Sequence, residues 1–289
     1  MAEHELLDLI IARIPLKMQE RIRLYKECDR IDDLVSGTQN DLEALVGRTF
    51  PETFEWNPAK WRSQAEQDLT TIRKRAIHVV SLRDTTYPPL LREMHDPPVL
   101  LFYRGTLPDP EHALVAMVGT RHPSPAGSHI ALTMGQEFAS AHISVVSGLA
   151  LGIDALAHRG NLSGQTVAVL GSGLDEMSPV SNRPLAHRIL ENSGCILSEY
   201  PPGTTPSRWR FPQRNRIITG ISRGTVIVEA PQKSGALISA RCAAEQNRDV
   251  FVASKNGKAL GVGAQKLVDD GAKVIESAGD VLEDWGISG

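Results

Sequence analysis

Apolar positions along this chain follow two different rhythms. From Glu3 to about Arg75 they recur at helical spacing: Leu6, Leu7, Leu9 and Ile10, then Ile22, Leu24, Leu34, Leu42 and Leu45. The pattern is broken at Pro15, Gly37, Gly47 and Pro51. This predicts a small all-helical domain over 1–75, with Trp56 and Trp61 as core or interface side chains. From His78 the texture changes. The proline-rich stretch HVVSLRDTTYPPLLREMHDPPVLLFYRG reads as an extended connector with a short strand at either end.

After it, β-branched runs of four to eight residues alternate with helical segments. ALVAMV, ISVVS, TVAVL, CILSEY, TVIVEA, DVFVAS and KVIE read as strands. SHIALTMGQEFASA, IDALAHRGNL, RPLAHRILENSG, RNRIITGIS, GALISARCAAEQN and GAQKLVDDGA read as helices, and GDVLEDWG as the last one. Such alternation predicts an α/β domain over 76–289 built on a doubly wound, mostly parallel sheet. Right-handed crossovers then gather the strand-to-helix turns along one edge, where ligands of such sheets bind. VGTR, SGLALG, LGSG and EAPQKSG all fall at those turns, and glycine there lets backbone amides approach an anion at a helix start.

Composition adds constraints. The chain has 289 residues and a formal net charge of -3, so affinity for a polyanion needs a focused basic patch. One is present in PSRWRFPQRNRIITGIS, which carries Arg208, Arg210, Arg214 and Arg216 with Trp209 and Phe211 interleaved and no acidic residue. Guanidinium groups fork onto phosphate oxygens, and Trp209 or Phe211 offers a stacking face to a base. Arginines two apart on a helix do not share a face, so one of Arg214 and Arg216 can brace the turn instead. Arg121 and Arg214 are the stronger candidates for direct contact, as exposed rim residues. Cys28, Cys195 and Cys242 are widely spaced and read as buried thiols of a reducing compartment. No apolar run approaches membrane-spanning length, and the acidic residues in MAEHELLDLIIARI argue against a leader peptide, so a cytoplasmic protein is expected.

Enzymatic motifs fail in detail. Glu176 occupies the third-glycine position of a dinucleotide fingerprint in LGSGLDE, and no GxxxxGK[ST] loop exists. GISRG runs from helix to strand, the reverse of a nucleophile elbow. Asp154 and His158 share a helix face but lack a third ligand, so capping by Asp154 and packing by His158 are expected. No catalytic residue, metal or cofactor is expected.

In order along the chain, VGTR, SGLALGIDALAH, TVAVLGSGLD, ILSEYPPGTTP, FPQRNRIITGIS and VIVEAPQKSGALISA resemble the DNA processing protein A family, DprA or Smf, over roughly Val80 to Val252. The resemblance implies an extended Rossmann fold that binds single-stranded DNA, protects it and helps load a RecA-type recombinase in natural transformation, without catalysis. It also implies a homodimer, to which Leu260, Val262 and Leu267 could contribute. Implied DNA contacts are Gly119, Thr120, Arg121, Ser147, Gly148, Gly171, Phe211, Arg214, Asn215, Arg216, Lys233, Ser234 and Gly235. The sequence departs from the family pattern at Ser178, Asn247, Ser254, Lys255 and Gln265, and IPLKMQE lacks the glycines of the family's N-terminal hairpin, which makes 1–75 dispensable for DNA binding by this reading. Ending at GDVLEDWGISG, it reads as a short form without the winged-helix domain of longer members. The alternative is a nucleotide-binding or phosphoribohydrolase-like enzyme on the same fold, although APQKSGALISA lacks the glutamate of that chemistry's PGGxGTxxE turn.

Overall fold

The computed structural model describes residues 2–256, 258–259 and 261–287, except the side chains of residues 2, 3, 35 and 255. The helical segment contains α1 (Ala2–Arg13), α2 (Met18–Glu27), α3 (Ile31–Val35), α4 (Gln39–Val46) and α5 (Pro58–Lys74). Local sequence sets the boundaries of these helices. Thr38 and Asp41 form a reciprocal capping box on α4, and Gly47 ends that helix at φ +75°, a left-handed conformation costly for residues with a Cβ. Asn57 Oδ1 accepts from Lys60 N at 3.0 Å to open α5, with Pro58 at its first position. Leu7, Leu9, Ile10, Ile11 and Ile14 are fully buried, making α1 the central helix of this unit.

The remaining elements are β1 (His78–Ser81), α6 (Pro89–Arg92), β2 (Leu100–Gly105), β3 (Leu114–Val118), α7 (Pro125–Ser140), β4 (Ser144–Ser147), α8 (Ile153–Gly160), β5 (Val167–Leu170), α9 (Arg183–Glu191) and β6 (Cys195–Ser198). They continue with α10 (Arg210–Gly220), β7 (Gly224–Ile227), α11 (Gly235–Glu245), β8 (Asp249–Lys255), β9 (Lys258–Ala259), α12 (Val262–Asp269), β10 (Lys273–Ile275) and α13 (Ala278–Asp284). The strands form one twisted sheet in the order β1-β2-β6-β5-β4-β3-β7-β8-β10, with β9 appended to β8. The run from β6 to β10 is parallel, and the connector strands β1 and β2 add an antiparallel edge against β6. The expected α/β architecture with a doubly wound, mostly parallel sheet and N-terminal helices is the observed one. Helix α10 starts four residues earlier than the sequence suggests, at Arg210 rather than Arg214.

Alternate residues of each strand serve opposite faces. Val167 and Val169 join the cluster beneath α6, α10 and α11, whereas Ala168 and Leu170 face the other side. There they pack with Leu185 and Ile189 of α9 and, through Leu100, Phe102 and Ile196, with the apolar side chains of α1 and α5. The core is therefore continuous across the expected boundary at residue 75. Arg13 reinforces this junction, pairing with Asp68 of α5 and donating to Pro202 O at 2.8 Å. Among the described residues no helix is long and apolar enough to cross a membrane. Val262 is exposed, Leu267 is partly buried against the core, and Leu260 lies outside the described residues.

Candidate nucleic-acid interface

Strand order reverses between β3 and β7, because the chain visits β4, β5 and β6 on one side of β3 before returning to β7 on the other. At the carboxyl ends of these two strands lies a cleft of about 650 Å³, lined by the β3–α7 turn, the start of α8, one side of α10 and the start of α11. The turn is held from both flanks. Thr120 N donates to Glu229 O (2.9 Å) beyond β7, and Ile153 N donates to Thr120 O (3.1 Å) at the start of α8. Gly119 packs directly under the Ile153 side chain, where a Cβ would collide. Arg121 is thereby presented outward, its guanidinium 5.7 Å above the Phe211 ring. Phe211 in turn rests on Gly171, whose missing side chain leaves room for the ring.

The floor is made by Arg214, and here the expectation of an exposed rim residue fails. Because α10 begins at Arg210, Arg214 lies a full turn inside the helix and points down onto the sheet, only 5% exposed. Its Nη1 donates to Gly148 O (2.8 Å) and to Val169 O, and the guanidinium occupies the space above Gly148 that a Cβ would fill. Asp154 completes the arrangement, its Oδ2 accepting from Gly148 N (3.1 Å) and Ala150 N (3.4 Å). The expected helix cap is therefore not what Asp154 makes: its carboxylate braces the preceding SGLALG loop, and the N-cap of α8 is Gly152. Burial lowers the Arg214 pKa to about 10, opposed by the field of Asp154. The guanidinium accordingly remains protonated at neutral pH. Burial raises the Asp154 carboxyl, opposed by Arg214 and the two amides. His158, fully buried behind this loop, hydrogen-bonds Thr166 Oγ1 through Nδ1 at 2.8 Å, and burial pushes it down to about 3.

Arg216 does not share this cleft. Two residues further along α10 it faces the opposite flank, 8% exposed, where it pairs with Glu199 and Asp96 and donates to Asp96 O at 2.8 Å. It is the arginine that braces. Ser147 is also set back from the surface, its hydroxyl donating to Met117 O (2.6 Å) to tie β4 to β3. The far lip carries Ser234 and Gly235 at the start of α11. Ser234 Oγ is buried without a hydrogen-bond partner at the cap position, and Asn215 Nδ2 reaches Gly235 O at 3.4 Å. Lys233 is exposed beside them at φ +73°, though its side chain is not part of the cleft lining.

The structure thus brings together Gly119, Thr120, Arg121, Phe211, Arg214, Asn215, Ser234 and Gly235, supported from behind by Gly148 and Gly171. It adds Arg208, His122 and Asp154 to the lining. Arg208 was legible as part of the basic-aromatic run, whereas Asp154 looked only like a helix cap. Just outside the cleft, Trp209 is 59% exposed and Arg210 lies 4.7 Å from its ring and 5.4 Å from that of Tyr200. The acidic strand ends are engaged: Glu229 Oε2 accepts from Ser124 N and Oγ at 2.9 Å, and Glu199 holds Arg216.

Residues 78–286 match the family described as DNA recombination-mediator protein A. Protein Smf of Synechocystis is 45% identical over 210 residues, which cover 70% of this chain and 52% of that protein, so the chain spans about half the length of this relative. The X-ray structure of DNA processing protein A from Streptococcus pneumoniae superposes with a TM-score of 0.77 at 34% identity, covering 97% of this chain and 96% of the other. DNA processing protein A of Helicobacter pylori, whose structure was described for its single-stranded DNA binding mode, gives a TM-score of 0.64 at 28% identity over 72% of this chain and 95% of that one. With its sheet order, its motifs and these matches in agreement, the chain belongs to the DNA recombination-mediator protein A family, the DprA/Smf DNA-processing proteins.

Proposed function

We propose that this protein binds single-stranded DNA in the cleft at the β3–β7 switch point, protects it, and helps load a RecA-type recombinase during recombination and natural transformation. One observation carries the reading. An outward arginine stacked over an aromatic ring, Arg121 on Phe211, faces a helix start with an unpartnered Ser234 hydroxyl across a cleft floored by a buried guanidinium. The exposed Arg121 and Arg208 take phosphate oxygens, the α11 amides with Ser234 and Lys233 receive a second phosphate, and Phe211 or Trp209 stacks a base. Arg214 supplies positive charge from below. Family membership and the single-strand binding mode of the H. pylori relative support the same ligand. Recombinase loading, homodimer formation and a cytoplasmic location belong to the proposal on the strength of that family. The role is one of binding rather than catalysis, because the carboxylate that lines the cleft, Asp154, is spent on loop amides, and Glu229 beyond β7 is spent on Ser124.

Fluorescence anisotropy with a labelled oligonucleotide, single-stranded and as a duplex, over a salt series tests the reading. A clear single-strand preference and an affinity that falls steeply with salt are expected, since stacking needs exposed base faces and phosphate contacts release counterions. Equal affinity for the two forms at moderate salt rules the assignment out. Recombinase loading is read separately, as the rate at which a RecA-type protein nucleates on the bound strand.

A further inference from the structure

A second cleft lies at the antiparallel edge of the sheet, between α1, β1, β2 and the β1–α6 turn, with a volume of about 410 Å³. At its base is Asp8. This carboxyl stands between the buried Leu7 and Leu9 of α1, is 6% exposed, and leaves Oδ1 buried without a hydrogen-bond partner. An unpaired polar atom in such surroundings is costly, and native proteins seldom keep one without a use.

The neighbouring charges define what could satisfy it. Glu5 lies one turn earlier on α1, and Asp84 lies on the β1–α6 turn. The guanidinium beside them, that of Arg83, is committed elsewhere: it donates to Tyr25 O and Cys28 O, lies 3.4 Å from Asp29, and stacks 4.3 Å from the Tyr25 ring. His4 closes the mouth. Val79 and Leu100 supply apolar wall, and Ser81 also lines the cleft, its amide donating to Asp84 Oδ2 at 2.6 Å. Burial raises the Asp8 carboxyl to about 7, opposed by the charge of Arg83 and reinforced by Asp84 and Glu5. An aliphatic ammonium or guanidinium group brings the N–H donors and the positive charge that such a carboxylate oxygen accepts.

We infer that this cleft is a binding site for an aliphatic ammonium or guanidinium group, whose charged head pairs with Asp8 between Glu5 and Asp84 while its methylenes lie against Val79 and Leu100. The volume suits a small ligand. Either a free polyamine or a lysine or arginine side chain of a partner protein carries this chemistry. The site shares no lining residue with the DNA cleft, so it stands or falls independently of the function proposed above.

The test is calorimetric titration of the full chain at pH 8 with putrescine in one arm and N-acetyl-lysine amide in the other, against potassium chloride at matched ionic strength. Saturable binding beyond the salt control is expected, weakened about tenfold or more in Asp8→Asn because the charge pair is lost. Tighter binding of putrescine identifies a free amine as the ligand, and tighter binding of the lysine derivative identifies a side chain. No binding above the salt control in either arm, or equal binding by the variant, overturns the proposal. Should Asp8→Asn fail to fold, the carboxyl carbon shift of Asp8 in the wild-type chain decides. Its titration midpoint falls by about half a unit or more in saturating amine if the pair forms, and an unmoved midpoint refutes the site.

Discussion

Replacing Arg214 and Arg121 separately with alanine should produce two different failures, although both arginines line one cleft. Arg214 is buried, donates to two backbone carbonyls and balances the Asp154 carboxylate. Removing it strands those two acceptors at about 1–3 kcal/mol each and takes away the positive charge that opposes the cost of burying the Asp154 carboxylate. These terms describe one event and are not additive, so a loss of about 3–5 kcal/mol is expected for Arg214→Ala. That corresponds to a fall in Tm of roughly 5–8 °C for a chain of 289 residues. Arg121 is exposed, its guanidinium 5.7 Å from the Phe211 ring, so Arg121→Ala should melt close to the wild type. Its loss should instead appear in DNA binding, at about 1.5–3 kcal/mol, or roughly tenfold to a hundredfold in Kd. The slope of log affinity against log salt should become shallower by about 0.7, one phosphate contact having gone. Differential scanning calorimetry and anisotropy on the same preparations separate these outcomes. A further variant checks the cause: Asp154→Asn added to Arg214→Ala should recover part of the lost stability, because asparagine keeps an acceptor for Gly148 N and Ala150 N without the orphaned charge. An Arg214→Ala protein that melts within a degree or two of wild type would refute the reasoning.

Phe211→Ala should weaken single-strand binding by about 1–3 kcal/mol if that ring stacks a base, with the salt slope preserved, and the same measurement on Trp209→Ala decides which ring does so. An unchanged affinity in both variants removes stacking from the account. The fragment 76–289 should lose its cooperative melt, because cutting at Arg75 uncovers Leu100, Phe102 and Ile196, each at most 2% exposed in the whole chain and worth about 1.5–3 kcal/mol when buried. A fragment that stays monomeric and melts near the parent temperature would establish the helices as a separate domain. Asp8, raised from 3.8 to about 7 by burial, binds a proton in the folded chain that the unfolded chain releases first, so its stability contribution is full below about pH 4 and is lost as pH rises through 7. Asp8→Asn should therefore flatten denaturant-derived stability between pH 4 and 8, and an identical pH profile in variant and wild type contradicts that environment.

Much of this arrangement could be read directly from the chain, for a physical reason. Parallel strands buried on both faces are written as unbroken β-branched runs, and Leu114 to Val118 and Ser144 to Ser147 are buried at every position. Glycine turns at their ends then mark one edge of the sheet. The start of α10 was hidden because WRFP reads as loop. Pro212 is nevertheless the third residue of that helix, where a missing N–H costs nothing since no carbonyl lies a turn behind. The extra turn from Arg210 to Gln213 decides where each arginine points. The boundary at 75 was visible as a change of rhythm, but rhythm reports secondary structure and not which apolar faces meet, so the packing of α1 and α5 on β2 and β6 was invisible.

The two arginine populations of the cleft also do different physical work. Arg121 and Arg208 are solvated, so their pull on a phosphate is screened within a Debye length of about 8 Å at physiological salt and declines as salt rises. Arg214 acts through protein, where screening is much weaker, and its rigid hydrogen bonds fix the charge before any ligand arrives. Gly148 makes this possible twice over, offering its carbonyl to Arg214 and its amide to Asp154 while leaving no Cβ in the way of the guanidinium. In a chain of net charge -3, the proposed contact with a phosphate backbone therefore rests on the two exposed arginines, Arg121 and Arg208, set above the fixed Arg214 guanidinium.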